Sequence, residues 1–180
     1  MVTKHLKLPI NKKDLTSLNA GELVLLSGVI YTARDAAHKR IIEALNNNQE
    51  TPFELNNSAI YYTGPTPNRP DEIIGSCGPT SSSRMDDYTP MLLEHGLKVM
   101  IGKGKRSLKV INSMKKNKAV YLCAVGGAAA IIKQYIVSAQ VIAYSDLGTE
   151  AVRKLEIKDF PLIVAIDSQG NSLFERKQSN

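Results

Sequence analysis

The sequence predicts an α/β fold with a mixed sheet, and three observations carry that expectation. Short apolar runs rich in β-branched and aromatic residues alternate with helix-patterned segments, as strands packed on helices require. The first of these runs lie closer together than helical crossovers permit, so the sheet cannot be wholly parallel. The C-terminal PLIVAIDSQGNSLFE reads as a strand, a Ser-Gln-Gly-Asn turn and another strand. At 180 residues, with no repeat and no long Pro/Gly/Ser linker, the chain is expected to be a single domain over 1–180.

In chain order, ELVLLSGVIY is the first expected strand. RDAAHKRIIEALNN follows as a helix with Ala37, Ile41 and Leu45 on its buried face. AIYYTG and EIIGSC read as strands. TPMLLEHG reads as a short helix with Thr89 as N-cap, Pro90 in its first turn and Gly96 beyond its end. LKVMIG is a strand, RSLKVINSMKK a basic amphipathic helix and AVYLCAV a strand. GAAAIIKQYIV reads as a largely buried helix, and QVIAY and LIVAI as strands.

Composition excludes several classes of function. Hydrophobic residues make up 43% and charged residues 22% of the chain, ordinary for a globular protein. Aromatics are only 6% with no Trp, which argues against stacking platforms for nucleic acid. The longest apolar run, Ala119–Ile132, falls short of the roughly 20 residues of a membrane span. MVTKHLKLPINKKDL lacks the apolar core of a secretory signal, so a cytoplasmic location is expected. Cys77 and Cys123, like His5, His38 and His95, have no metal-ligand spacing. Buried spectator thiols and no metal bound by this chain are the expectation. Charge is uneven: residues 1–90 hold 9 Lys+Arg against 10 Asp+Glu, and residues 91–180 hold 14 against 7. No acid lies between Glu94 and Asp146, a tract that would attract an anion or an acidic surface.

Four places share one grammar, in which a strand ends, a loop of small residues follows and a helix begins, offering free backbone N–H groups to an anion. In YTARDAAHKR, Thr32-x-x-Asp35 fits a capping box, with Arg34 in the first turn and His38 on the same face; a capped helix with a surface arginine explains it equally. In GSCGPTSSSRMDDY, a helical turn would align Thr80 with Arg84, and the alternative is a row of capping hydroxyls beside a surface ion pair. IGKGKRS fails the Walker pattern, because Val99 replaces the first Gly and Arg106 precedes Ser107, leaving a glycine turn that aims Lys103 from a strand end. AVGGAAA permits a close backbone approach, which packing also explains. No GxSxG marks a serine hydrolase. Arg34, Arg84 and Lys103 together would suit a small dianion such as a dicarboxylate.

These motifs, in order and spacing, carry a family resemblance. SGVIYTARDAAHKR, YYTGPTP, GSCGPTSSSRMDDYTP, MIGKGKRS, AVGGAAA, LGTEAVRKLEIKDFP and VAIDSQGN resemble the β subunit of class I fumarate hydratase and of L(+)-tartrate dehydratase, and the C-terminal domain of single-chain class I fumarases. The resemblance implies a swivelling three-layer β/β/α domain and reversible hydration of fumarate to L-malate. It implies a 4Fe-4S cluster bound by a partner α subunit and not by this chain, in an α2β2 assembly. It assigns the catalytic base to Thr80, substrate binding to Arg34, Arg84 and Lys103, and supporting places to Asp35 and His38. The Ser-rich SSSR departs from the family's usual TTSxR or TTAGR but retains the first Thr. The texture of the motifs looks nearer the fumarase branch. The alternatives are a tartrate dehydratase β subunit and a non-catalytic anion-binding module.

Overall fold

The computed structural model describes residues 2–125 and 129–175. Among them, β1 (Thr3–Lys7), β2 (Leu23–Thr32), β3 (Ala59–Tyr61), β4 (Val99–Gly102) and β5 (Val120–Ala124) run parallel, each beside the next. β6 (Ile136–Ala143) and β7 (Val152–Ile166) form an antiparallel pair. β7 also pairs antiparallel with both β2 and β5, so β2-β3-β4-β5-β7 closes into a five-stranded barrel, with β1 and β6 as outlying strands. The sheet is mixed, as expected, but for another reason: the early strands are parallel, and the antiparallel pairs are those of β7 with β2, β5 and β6.

Alternation along the strands divides the side chains between two cores. Leu26, Ile30, Tyr61, Ile101, Leu122 and Val164 belong to one, the barrel filling. Ile60, Tyr62, Met100 and Tyr121 belong to the other, on the outer face of the same strands. Over that face pack α2 (Asp35–Asn46) through Ala37 and Ile41, α3 (Thr89–Glu94) through Leu92 and Leu93, and α4 (Leu108–Asn117) through Val110 and Met114. Two walls of barrel and one layer of helices give the β/β/α arrangement. The short α1 (Lys12–Thr16) adds Leu15 to the barrel core. Leu26 and Leu122 are fully buried there, and truncating either to alanine would cost about 2–5 kcal/mol.

Several elements differ from the sequence expectation. β1 and α1 were not anticipated. EIIGSC is not a strand; its backbone is satisfied within a loop, where Thr66 N donates to Ser76 O (2.9 Å) and Ser76 N to Thr66 Oγ1 (2.9 Å). Thr89 is the first residue of α3 rather than its cap. Its hydroxyl donates to Met85 O (2.8 Å) and accepts from Arg106 Nη2 (2.8 Å), leaving it no role as a helix cap. Beyond β7 the turn forms as expected, with the Asp167 carboxylate accepting from Gln169 N and Asn171 N. Past it the described residues form only a bridge between Ile166 and Ser172. The close glycine pair Gly126-Gly127 lies outside the described residues. The following segment is a single turn, α5 (Ala129–Ile132), then a 3-10 turn (Lys133–Tyr135) and β6. Ala130 and Ile131 are exposed, so this segment is not a buried helix.

Candidate active site

Because β2 to β5 are parallel and paired in step, their carboxyl ends at Thr32, Tyr61, Gly102 and Ala124 share one edge of the barrel. In sheets of this kind ligands bind at that edge. The loops leaving it carry Arg34 and Asp35, Thr80 and Arg84, and Lys103.

Arg34 stands at the N-cap of α2 in extended conformation, and its side chain does not cap the helix. The expected capping box does not form. Thr32 is a residue of β2, whose hydroxyl donates to Ala151 O (3.3 Å) and accepts from Arg153 N (3.0 Å), tying the ends of β2 and β7. Glu150 serves the helix instead: its Oε1 accepts from Ala36 N (3.3 Å) and lies 3.6 Å from Arg34 Nε. That second distance is an ion contact longer than a hydrogen bond, and Arg34 Nε is buried without a hydrogen-bond partner among the described residues. The guanidinium lies over Gly64, where a Cβ would stand 2.5 Å from Nη1. Gly64 is therefore the space that Arg34 uses.

His38 is fully buried in α2, with its ring beside those of Tyr62 and Tyr88 (centroids 5.5 and 5.9 Å). Nδ1 and the main-chain N both lie 2.8 Å from Arg34 O. A carbonyl only accepts, so Nδ1 carries the hydrogen. Burial drives the imidazole pKa down to about 4, so the ring is neutral and Nε2 is an unprotonated atom without a partner among the described residues. His38 thus holds the main chain of Arg34 from behind and does not face the edge.

The segment after β3 leaves and returns at the same strand end. Thr63 Oγ1 donates to Gly78 O (2.8 Å), the Tyr61 hydroxyl donates to Cys77 O, and Thr80 N donates to Tyr62 O (2.7 Å). These bonds place Thr80 half-buried beside the end of β3. Thr80 precedes the 3-10 turn Ser82–Met85, so it does not share a helical face with Arg84. Ser81 bridges to Lys103, and Ser82 N donates to Lys103 O (2.9 Å). Ser82 Oγ accepts from the Tyr121 hydroxyl (2.8 Å). Only a glycine fits below it, since a Cβ on Gly102 would come within 2.0 Å of Ser82 Oγ. Within the hydroxyl row, Ser82 thus docks the segment, while Thr80 stays at the edge. Lys103 is exposed between Gly102 and Gly104, the latter at φ 82°.

Arg84 reaches back to α2. Its Nε donates to Asp35 Oδ1 (3.0 Å), and Nη2 lies 2.8 Å from Oδ2 in an ion contact too bent for a second hydrogen bond. Asp35 therefore occupies one edge of the guanidinium and leaves the other without an acid. The structure joins Arg34 and Thr80 at the β3 end, Thr80 and Lys103 through Ser81 and Ser82, and Arg84 to Arg34 through Asp35. Two of the three expected cations already face a carboxylate; Lys103 has none among the described residues.

Sequence reasoning missed two residues. Glu150 gave no local signal. Arg106, the residue that spoils the Walker pattern, is buried between the rings of Tyr62 and Tyr121 (5.2 and 5.0 Å). Its Nε donates to Asp86 Oδ1 (2.7 Å), and Asp86 Oδ2 accepts from Ser107 N (2.7 Å). Burial alone would lower the Arg106 pKa, but Tyr62 and Asp86 outweigh it and raise it. This clamp fixes the loop carrying Lys103 to the segment carrying Thr80 and Arg84.

Cavities of about 350, 380 and 390 Å3 are lined by other residues, and on the edge Arg84 and Lys103 are exposed. The two thiols do not fit an iron–sulfur cluster. Cys77 belongs to the barrel core and Cys123 packs against the opposite one, half-buried rather than fully so. Burial raises both, Cys77 to about 11, away from the thiolate a metal needs.

Fold and edge together define a barrel domain of the β/β/α kind that offers arginine, lysine and threonine at the carboxyl ends of its parallel strands. Residues 2–177 match the family described as Fumarase C-terminus, and the chain belongs to that family. It is 40% identical over 172 residues to a protein of Methanocaldococcus jannaschii named putative L(+)-tartrate dehydratase subunit beta, covering 92% of this chain and 88% of that one. It is 38% identical over 179 residues to fumarate hydratase 2 of Leishmania major, covering 97% of this chain and 32% of that one. With the aerobic class I fumarate hydratase of Escherichia coli K12 the identity is 37% over 155 residues, 85% of this chain and 28% of the other. The chain spans about a third of the length of the fumarate hydratases it matches.

Proposed function

We propose that the chain is the β subunit of a hydro-lyase, class I fumarate hydratase, and supplies one half of a site that hydrates fumarate to L-malate. The observation that carries this reading is the meeting of Thr80, Arg34, Arg84 and Lys103 on the carboxyl edge, in a chain of the fumarase C-terminus family. An open edge suits a site that another polypeptide closes. Relatives three times as long have room for that second half in one chain. The relative named as a subunit, nearly matched in length, supports a separate partner here. The 4Fe-4S cluster is assigned to this α subunit, because the thiols of the present chain do not fit it, and an α2β2 assembly goes with that assignment.

In the dehydration direction the Thr80 oxygen takes a proton from the carbon next to a carboxylate of malate. The electron pair moves into that carboxylate, which gains a negative charge, and then returns to form the carbon–carbon double bond as hydroxide leaves from the neighbouring carbon. Arg84 and Lys103 stand where that extra charge develops, so they bind the transition state more strongly than the substrate. Their field also lowers the cost of removing the hydroxyl proton of Thr80. Asp35 fixes the plane of Arg84 and leaves its other edge for a substrate carboxylate, while Glu150 balances the charge of Arg34 without a hydrogen bond. The match to the tartrate dehydratase subunit makes tartrate the second substrate to test.

Anaerobic mixing of the purified chain with its cluster-bearing partner, followed by fumarate absorbance, tests the reading. Hydration well above that of the partner alone, with Thr80→Ala lowering kcat by about 10²–10⁴-fold, is expected. Full activity in Thr80→Ala would overturn the role of Thr80. Turnover of tartrate and not fumarate would move the enzyme to the other branch. Salt-sensitive anion binding without turnover of either would leave a binding module.

A further inference from the structure

Two strands stand outside the closed barrel, and they end the sheet differently. β1 pairs only with β2, and β6 only with β7, so each leaves one edge of its main chain without a strand. Among the described residues no backbone hydrogen bond outside the pairing with β7 reaches β6. Such edges invite another strand, and charged side chains commonly guard them. β1, TKHLK, carries Lys4 and Lys7, whereas β6, IVSAQVIA, has no charge, proline or glycine in its eight residues. Val137, Ser138, Gln140 and Val141 are exposed along it. Ile73, also exposed, lines a small hollow together with Gln140 and Val141. The strand falls out of step with β7 at Val137 and at Ile142. Bulges can guard an edge by bending it, but these two bracket a regular run, Ser138–Val141, that stays open. Val125 and Ile131, also about half-exposed, lie off this strand.

The order of the residues says which strand would fit. Outward from Ala139 the chain reads Ser138, Val137, Ile136 one way and Gln140, Val141, Ile142 the other: a polar residue, a valine, an isoleucine. Exposure follows the same mirror, with Val137 and Ser138 on one side, Gln140 and Val141 on the other, and Ala139 half-buried between them. Two antiparallel copies related by a two-fold axis at Ala139 set Val137 of each opposite Val141 of the other. Ser138 then opposes Gln140. Opposed side chains of this kind are the unit of stability between antiparallel strands. A two-fold contact requires such self-complementarity, and pairing with an unrelated strand does not. We propose that β6 binds a second copy of this chain edge to edge, with the axis at Ala139, so that the two sheets continue into one. The pairing does not depend on the reaction assigned to the carboxyl edge, and it names where two β subunits of one assembly would meet.

Sedimentation equilibrium of the purified chain tests this, and the parent should be a dimer. Val141→Lys sets a lysine against Val137 of the other copy and should weaken the dimer at least about tenfold, as should Val137→Glu. The two changes in one chain should restore it, because each lysine then opposes a glutamate. Leu108→Lys, exposed on α4, should change nothing. Circular dichroism checks the fold of each variant; should Val141→Lys unfold, Val137→Glu alone should still give a folded monomer. A monomeric parent, a dimer indifferent to either folded single variant, or a folded double variant no tighter than the singles would each overturn the proposal. So would single variants that keep the dimer but lose the cluster-bearing subunit, which would give the edge to that subunit instead.

Discussion

Gly64 and His38 show how single residues set the candidate site without touching a substrate. A methyl group at Gly64 would meet the tip of Arg34, a movable side chain, rather than backbone. Gly64→Ala should therefore leave the unfolding midpoint nearly unchanged but raise KM for the dicarboxylate in the assembled enzyme; an unchanged KM would remove Arg34 from the substrate. His38 makes a prediction about pH. Its folded pKa, about 4, lies below the ordinary 6.5, so the unfolded chain binds the proton more readily. The neutral ring is no handicap above pH 6.5; stability falls as pH drops from there to about 4, by up to about 3 kcal/mol from this group. Urea unfolding at pH 7 and pH 4.5 should show a smaller loss for His38→Gln than for the parent chain, and equal losses would contradict the buried neutral imidazole.

Among the elements, the strands of the barrel and the helix α4 were legible in the sequence because their signals are local. LKVMIG and AVYLCAV are compact β-branched runs, and RSLKVINSMKK is amphipathic, although Ser107 proves to be the cap of α4, accepting from Val110 N (3.3 Å), rather than part of the helix. β1 was not legible, since TKHLK is polar and has only Leu6 packed on the core. The carboxyl-edge position of Arg34 and Lys103 followed from strand ends, whereas Thr80 and Arg84 reach it through a loop whose EIIGSC reads as a strand; the acids did not follow from the sequence. Glu150 lies 114 residues from Ala36, and Asp35 lies 49 from Arg84, distances over which sequence spacing says nothing. Arg106 was misplaced for the same reason: its partner Asp86 is 20 residues away, and the pairing exists only once α3 and α4 pack. As an inter-element clamp it should be costly to remove. Arg106→Ala leaves Asp86 buried without its partner and should lower unfolding free energy by about 3–5 kcal/mol in urea titrations; a loss near zero would make the clamp incidental.

For the whole molecule, large apolar side chains are left in the open beyond the end of β5. Val125, Ile131 and Val137 stand about half-exposed around α5 and the start of β6. α5 borders the carboxyl edge, since a Cβ on Gly78 would meet Ala129 Cβ at 3.0 Å. This face is the expected seat of the partner subunit. Ile131→Asp should leave the isolated chain folded while weakening its association with the partner in sedimentation or co-purification, and unimpaired association would place the interface elsewhere. Proton removal by Thr80 within the assembled enzyme is open to direct measurement, as exchange of the malate C3 hydrogen with heavy water, catalysed by the anaerobic complex and read by proton NMR. Thr80→Ala should lose this exchange together with dehydration while still binding malate. Exchange persisting at the parent rate in Thr80→Ala would contradict a threonine base on this edge.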